Sequence, residues 1–165
     1  MRRLTLLRHA KSSWKNTELA DIDRPLNSRG RSDAKIIGAA CAGRMPLPEI
    51  ALVSPARRVS ETIELFFEAW TTATPKIVRV NELYRADMAD WINAVKTYRD
   101  DASHLLACGH QPELGEFAAW FCKETIGELP TATAISILFP GEQLDENIGN
   151  LDFVLRPREI AGLGY

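Results

Sequence analysis

Six short apolar runs recur along the chain, and between the first five lie stretches in which apolar residues return every three or four positions. The runs over 3–8, 50–53, 76–79 and 104–108 are too short and too continuous for helices and predict strands, some buried on both faces. Helical spacing follows each of them. A helix begins near Asn27 or Ser28 and stops around Gly43, with Ala34, Ile37, Gly38 and Cys41 as its inward stripe. A second helix, over 55–70, repeats Val59, Ile63, Phe66, Phe67 and Trp70 on one face, with Ser54 as its N-cap and Pro55 at its first position. A third runs from about Met88 to Tyr98, with Asp87 as N-cap and Asp90 three residues on in an acidic capping box, and a fourth covers 112–122. Two β-like runs, 133–139 and 151–156, close the sequence, separated by a loop from Pro140 to Asn150. Strands alternating with helices imply a three-layer αβα sandwich around a mainly parallel sheet, and 165 residues suffice for a single domain, 1–165, with a real core.

In such a sheet, ligands sit beyond the carboxyl ends of the strands, and the strand ends of this chain carry unusual chemistry. The first strand stops at Arg8-His9-Ala10, which sets a permanent planar cation beside an imidazole that can act as a nucleophile. The strand over 50–53 runs into Ser54-Pro55-Ala56-Arg57-Arg58, so that Arg57 falls in the first turn of a helix, where free N–H groups and the dipole favour an anion. The strand over 104–108 ends in Gly109-His110-Gln111-Pro112, and Glu82 follows the run 76–79.

These motifs, in this order, resemble those of the histidine phosphatase superfamily, which includes phosphoglycerate mutases and acid phosphatases. Arg8-His9-Ala10 is similar to its Arg-His-Gly signature, Ser54-Pro55-Ala56-Arg57 to its second-arginine motif, and Gly109-His110-Gln111-Pro112 to its second-histidine motif. Leu7-Arg8-His9-Ala10-Lys11-Ser12 and the stretch from Asp23 to Gly30 resemble the small SixA-type phosphohistidine phosphatases. Ala10 departs from the signature glycine and fits if that position needs no positive φ. The resemblance implies a phosphoglycerate mutase-like fold and a phosphatase working through a phosphohistidine intermediate. In that reading His9 is the nucleophile, with its second ring nitrogen held by an acceptor. Arg8, Arg57 and a protonated His110 hold the phosphoryl oxygens, and Glu82 is the acid for the leaving group or else a solvated carboxylate. Ser12 either binds phosphate or stabilises its loop, and Trp14 either packs the loop or walls the pocket. Tyr84 and Arg85 are candidates for the rim.

The implied reaction needs no metal and no cofactor. Without the insertions that build a lid in larger relatives, an open site favours phosphohistidine on a protein, such as a histidine-phosphotransfer domain. A small-molecule phosphomonoester is the alternative, and a non-catalytic phosphate-binding module is disfavoured because Arg8, His9, Arg57 and His110 are all present.

Charge adds one element. Residues 1–60 hold 12 Lys and Arg against 5 Asp and Glu, a net of +7, whereas residues 61–165 hold 8 against 17, a net of −9. Lys11, Lys15, Arg24, Arg29, Arg31, Lys35 and Arg58 exceed what one phosphate requires. They form either solvated helix faces or a basic rim that steers an anionic partner. Nucleic acid is disfavoured because no aromatic residues interleave with them. The start Met1-Arg2-Arg3-Leu4 enters a strand directly, no run is long enough for a membrane span, and the three cysteines have no Cys-x-x-Cys spacing. Together these predict a cytoplasmic protein with buried thiols. Trp70, Trp91 and Trp120 are expected in packing contacts, and His104 at a surface strand end.

Overall fold

The continuous apolar runs become the parallel heart of a six-stranded sheet in the computed structural model, which describes residues 2–71, 73–122, 124, 126, 127, 129–141 and 145–162. The strands are β1 (Arg3–Arg8), β2 (Ile50–Val53), β3 (Lys76–Arg79), β4 (His104–Gly109), β5 (Ala134–Leu138) and β6 (Asn150–Leu155). Their order across the sheet is β3-β2-β4-β1-β5-β6, with β5 antiparallel to both β1 and β6 and the other pairings parallel. The helices are α1 (Ser28–Ala42), α2 (Arg57–Phe67), α3 (Met88–Tyr98), α4 (Glu113–Phe121) and a short α5 (Pro157–Ala161).

Both faces of the central strands are covered, which explains why their sequences do not alternate with polar residues. On one face Leu4, Leu6, Leu52, Leu105 and Ala107 pack with Trp91, Phe117 and Phe121 of α3 and α4. On the other, Leu7, Val53, Leu106 and Cys108 pack with Ile37, Val59, Ile63 and Phe66 of α1 and α2. Trp91 is fully buried, while Trp70 and Trp120 lie half-buried against the two clusters. Cys41, Cys108 and Cys122 are buried and free, and burial pushes the Cys41 thiol up to about 12. No helix among the described residues is long and apolar enough to cross a membrane.

Local signals set several boundaries. Asp87 and Asp90 form the reciprocal capping box that starts α3, and the Asn27 side chain accepts from Gly30 N–H at the start of α1. Two glycines permit close approaches that shape the site. A Cβ on Gly30 would collide with the Lys11 carbonyl, so glycine lets α1 press against the loop after β1. A Cβ on Gly109 would lie 2.8 Å from the Trp91 ring, which packs beneath the end of β4.

Other positions differ from the sequence expectation. The α2 helix starts two residues later than the Ser-Pro signal implies, its N-cap position is Ala56, and no side chain caps it. The Ser54 hydroxyl is engaged elsewhere, as described below. His104 is not a surface residue: it is 4% exposed and hydrogen-bonded through Nε2 to Thr5 Oγ1 at 2.9 Å. Burial, reinforced by Arg3, lowers its pKa to about 4.

Candidate active site

Beyond the carboxyl ends of β1, β2 and β4 lies a cavity of about 280 Å³ lined by Arg8, His9, Asp21, Arg58, Tyr84, Arg85, His110, Gln111 and Glu113. Larger clefts, such as one of about 610 Å³ lined by Arg2, Glu49 and Asp101, contain neither histidine of the pair. The pairing of β1 with β4 sets Arg8 beside Gly109, so His9 and His110 emerge side by side with ring centroids 5.1 Å apart.

His9 is pinned through its backbone. Its N–H donates to the Gly109 carbonyl at 3.0 Å, and its carbonyl accepts from Ala132 N–H at 3.1 Å. Its Nδ1 lies 2.8 Å from the Ala10 carbonyl. A carbonyl can only accept, so Nδ1 carries the proton and Nε2 keeps its lone pair. Ala10 is fully buried, is absent from the positive-φ residues, and donates its N–H to Thr62 Oγ1 at 3.0 Å. An alanine therefore serves where the related signature has glycine.

The second imidazole is held as firmly. Arg58 Nη2 lies 3.3 Å from His110 Nδ1, and since a guanidinium only donates, Nδ1 is the acceptor. The ring then carries its proton on Nε2, which donates to Ser54 Oγ at 2.9 Å. The Tyr84 ring meets His110 edge-on at 5.8 Å. Burial lowers the pKa of His9 to about 4, with the charges of Arg58, Arg8 and Arg24 acting in the same direction against the Ala10 hydrogen bond. Burial, then His9 and Arg58, takes His110 to about 3. Both rings are neutral near pH 7 in the free protein, in contrast to the expectation of a protonated His110.

The arginine in the pocket is Arg58, not Arg57. Successive helical residues point about 100° apart, so only one of the two can face inward. Arg58 is 6% exposed, and its Nη1 and Nη2 donate to the Asp21 carbonyl at 2.6 Å and to Asp21 Oδ2 at 3.0 Å. Arg57 is exposed and pairs with Glu61 Oε1, one turn further along, at 2.8 Å. Arg8 is half-buried and donates through Nη1 to the Leu129 carbonyl at 2.5 Å, while its Nε is buried without a partner among the described residues.

Glu82 is not in the pocket. In the 3-10 turn Asn81–Leu83 the inward position belongs to buried Leu83, which leaves Glu82 exposed in a separate cleft with Arg79, Asp90 and Asn93. The chain then turns back: Tyr84 and Arg85 line the pocket as the rim expectation has it, with Arg85 in the left-handed region at φ 59°. Ser12 and Trp14 also lie outside the lining. The buried Ser12 hydroxyl accepts from Arg24 Nη2 at 2.6 Å, which supports the loop. Trp14 is 71% exposed, with the Arg24 guanidinium 3.2 Å from its ring centroid.

Asp21 and Glu113 are pocket residues that the sequence reading did not single out. The Asp21 carboxylate gathers Arg24 Nη1 at 2.8 Å, Arg58 Nη2 at 3.0 Å and the Tyr84 hydroxyl at 3.0 Å. Burial alone would raise its pKa, but Arg58 and the hydrogen bonds from Tyr84, Arg58 and Arg24 outweigh that effect and hold it below the usual carboxylate range. The proximity of Asp21 to Asp23-Arg24-Pro25 was the available signal; its partner Arg58, 37 residues away, was not visible. Glu113 opens α4 three residues after His110. The whole arrangement can surround a tetrahedral oxyanion with guanidinium groups and present a bare imidazole nitrogen to its centre.

Comparison with known proteins gives the same picture. The sequence pattern of the histidine phosphatase superfamily (branch 1) matches residues 4–121. An uncharacterized chloroplastic protein of Arabidopsis thaliana is 30% identical over 153 residues, covering 88% of this chain and 70% of the relative. Among solved structures, a protein assigned as the phosphohistidine phosphatase SixA of Agrobacterium tumefaciens superposes with a TM-score of 0.82 at 25% identity, covering 94% of this chain and 98% of that one. The protein histidine phosphatase SixA complexed with tungstate gives 0.80 at 21% identity, covering 96% and 99%.

Proposed function

This chain belongs to the histidine phosphatase superfamily (branch 1), and we propose that it hydrolyses phosphohistidine carried on a protein, by way of a phosphohistidine on its own His9. The observation that carries this reading is the His9 tautomer: Nδ1–H held by the Ala10 carbonyl, Nε2 unprotonated, in a pocket with Arg8 and Arg58. Likeness to the Agrobacterium SixA protein favours the phosphohistidine substrate.

In the first step Nε2 attacks phosphorus in line. A P–Nε2 bond forms as the bond from phosphorus to the leaving nitrogen breaks, and the electron pair departs with the imidazole. In the second step water attacks phosphorus, the P–Nε2 bond breaks with its electrons returning to His9, and inorganic phosphate leaves. Charge on the transferred group is met by Arg58 and Arg8, both of which line the cavity. We propose that these groups make the reaction independent of a metal.

The leaving group supports the same substrate. Asp21 is committed to Arg58, Arg24 and Tyr84 and is ionised, and Glu82 lies outside the pocket. With both of these carboxylates unavailable, the site suits imidazole, which leaves as a neutral ring when its other nitrogen already carries a proton, better than an alkoxide. Glu113 favours a second reading, because a carboxyl in the pocket could protonate the alkoxide of a small phosphomonoester.

A side-by-side substrate profile in EDTA separates the two. The expected result is efficient hydrolysis of a histidine-phosphotransfer domain phosphorylated with phosphoramidate, weaker turnover of alkyl phosphates, and no effect of Glu113→Gln on the phosphohistidine substrate. Preference for alkyl phosphates together with their loss in Glu113→Gln would establish the second reading. Activity lost in EDTA and restored by added metal would refute metal independence.

The histidine environment sets the acid limb. A pKa lowered from 6.5 to about 4 keeps His9 neutral and nucleophilic as pH falls, until protonation removes the lone pair near pH 4. The kcat/KM for p-nitrophenyl phosphate, corrected for the substrate's own ionisation, is therefore expected to stay level between about pH 7 and about pH 5. A midpoint near 6.5 would show that His9 titrates as an exposed imidazole.

A further inference from the structure

Trp14 is the most exposed large apolar side chain among the described residues, yet its position is closely supported. The guanidinium beneath its ring belongs to Arg24, which is itself 6% exposed. Arg24 Nε donates to the Ser13 carbonyl at 3.1 Å, Nη2 to Ser12 Oγ at 2.6 Å and Nη1 to Asp21 Oδ1 at 2.8 Å. The indole thus rests on a cation fixed at three points, with cation–π attraction between them. A tryptophan that serves only to close a loop would bury its ring; this one is held in solvent.

Its surroundings are basic. Lys11 and Lys15 are exposed and have no ion pair among the described residues. Arg31 and Arg57 share a single carboxylate, Glu61, which leaves positive charge in excess at the start of α2. Lys11 is tied to the start of α1, because its carbonyl accepts from Asn27 N–H at 3.0 Å and Gly30 packs against it. The loop's own exposed acidic residues are Glu18 and Asp23.

Trp14 is linked to the catalytic cavity through Arg24 and Asp21, and Asp21 is part of the cavity wall. Trp14 does not itself line the cavity of about 280 Å³, so a small phosphomonoester seated there leaves it uncovered. A ligand that meets both must extend well beyond the phosphate. We propose that Trp14, Lys11, Lys15, Arg31 and Arg57 form a docking face for an acidic surface of the phosphoprotein whose phosphohistidine enters the pocket. This rests on the phosphoprotein reading above and adds the surface that recognises the protein around the phosphate. A rigid aromatic anchor on a face with net positive charge fits an acidic protein patch, since the ring contributes area at low ordering cost and the cations steer the encounter.

The test compares Trp14→Ala and the double variant Lys11→Glu with Lys15→Glu against the unmodified protein. One substrate is an acidic histidine-phosphotransfer domain phosphorylated with phosphoramidate, and the other is p-nitrophenyl phosphate. Each variant is expected to raise KM for the phosphorylated domain about tenfold or more, with kcat nearly unchanged and p-nitrophenyl phosphate turnover unaffected. In the unmodified protein, kcat/KM for the domain should fall between about 50 and about 300 mM NaCl while that for p-nitrophenyl phosphate does not. Hydrolysis of the domain with no change in KM for either variant overturns the docking face alone. A proportional loss on both substrates also overturns it, since these residues would then act on the pocket. Failure of the unmodified protein to hydrolyse the domain while it turns over small phosphates overturns the phosphoprotein reading, and the docking face falls with it.

Discussion

Replacing His9 by alanine is expected to lower turnover by roughly 10⁴-fold or more on every substrate, the scale seen when a covalent nucleophile is removed. Such a loss requires the imidazole to form the bond to phosphorus rather than merely to help bind it. The geometry argues for bond formation, because Nδ1 is occupied by the Ala10 carbonyl and Nε2 makes no hydrogen bond among the described residues. The fold should survive. The side chain belongs to neither hydrophobic cluster, and its removal deletes one hydrogen bond, worth about 1 kcal/mol. A denaturant midpoint close to that of the unmodified protein, together with lost turnover, is the expected pair of results. Brief mixing of the active protein with labelled substrate, followed by a quench, should trap a phosphoenzyme that is labile in acid and stable in base, with the label on His9. Retained activity in His9→Ala, or label on another residue, would refute the mechanism.

What the sequence made legible was local. The apolar runs of β1 and β2 and the capping box of Asp87 and Asp90 lie within a few residues of the elements they specify. What it hid was set by distant partners. Ser54 before Pro55 has the form of a helix cap, but His110, 56 residues away, holds its hydroxyl. The helix starts at Arg57, and the inward arginine is Arg58. Glu82 lies outside the pocket for a similar reason: the 3-10 turn gives its inward position to Leu83, a demand of the core rather than of the local sequence. Nothing near His104 in the sequence shows that Thr5, 99 residues away, holds it inside. Alternating charge and apolar content could not separate Asp21 from its neighbours, since its importance comes from converging Arg24, Arg58 and Tyr84.

The adjacent arginines allow a sharp test, because the two side chains share a helix turn and differ in what they face. Arg58→Ala removes a buried donor pair beside His110 and is expected to cost about 10²–10³-fold in kcat, the usual worth of one preorganised donor to a developing oxyanion. It also strips Asp21 of a partner, so stability must be measured alongside. Arg58→Lys keeps the charge and should recover much of the stability. A single ammonium cannot reproduce the fork that spans the Asp21 carbonyl, its carboxylate and His110 Nδ1, so the rate should stay low. Arg57→Ala loses only an exposed pair with Glu61, worth about 0.5 kcal/mol or less, and should leave p-nitrophenyl phosphate hydrolysis intact. The decisive measurement is the ratio of kcat for the two alanine variants on that substrate. A larger loss from Arg57→Ala than from Arg58→Ala would mean that α2 presents its other face to the phosphate and that the pocket is assembled differently.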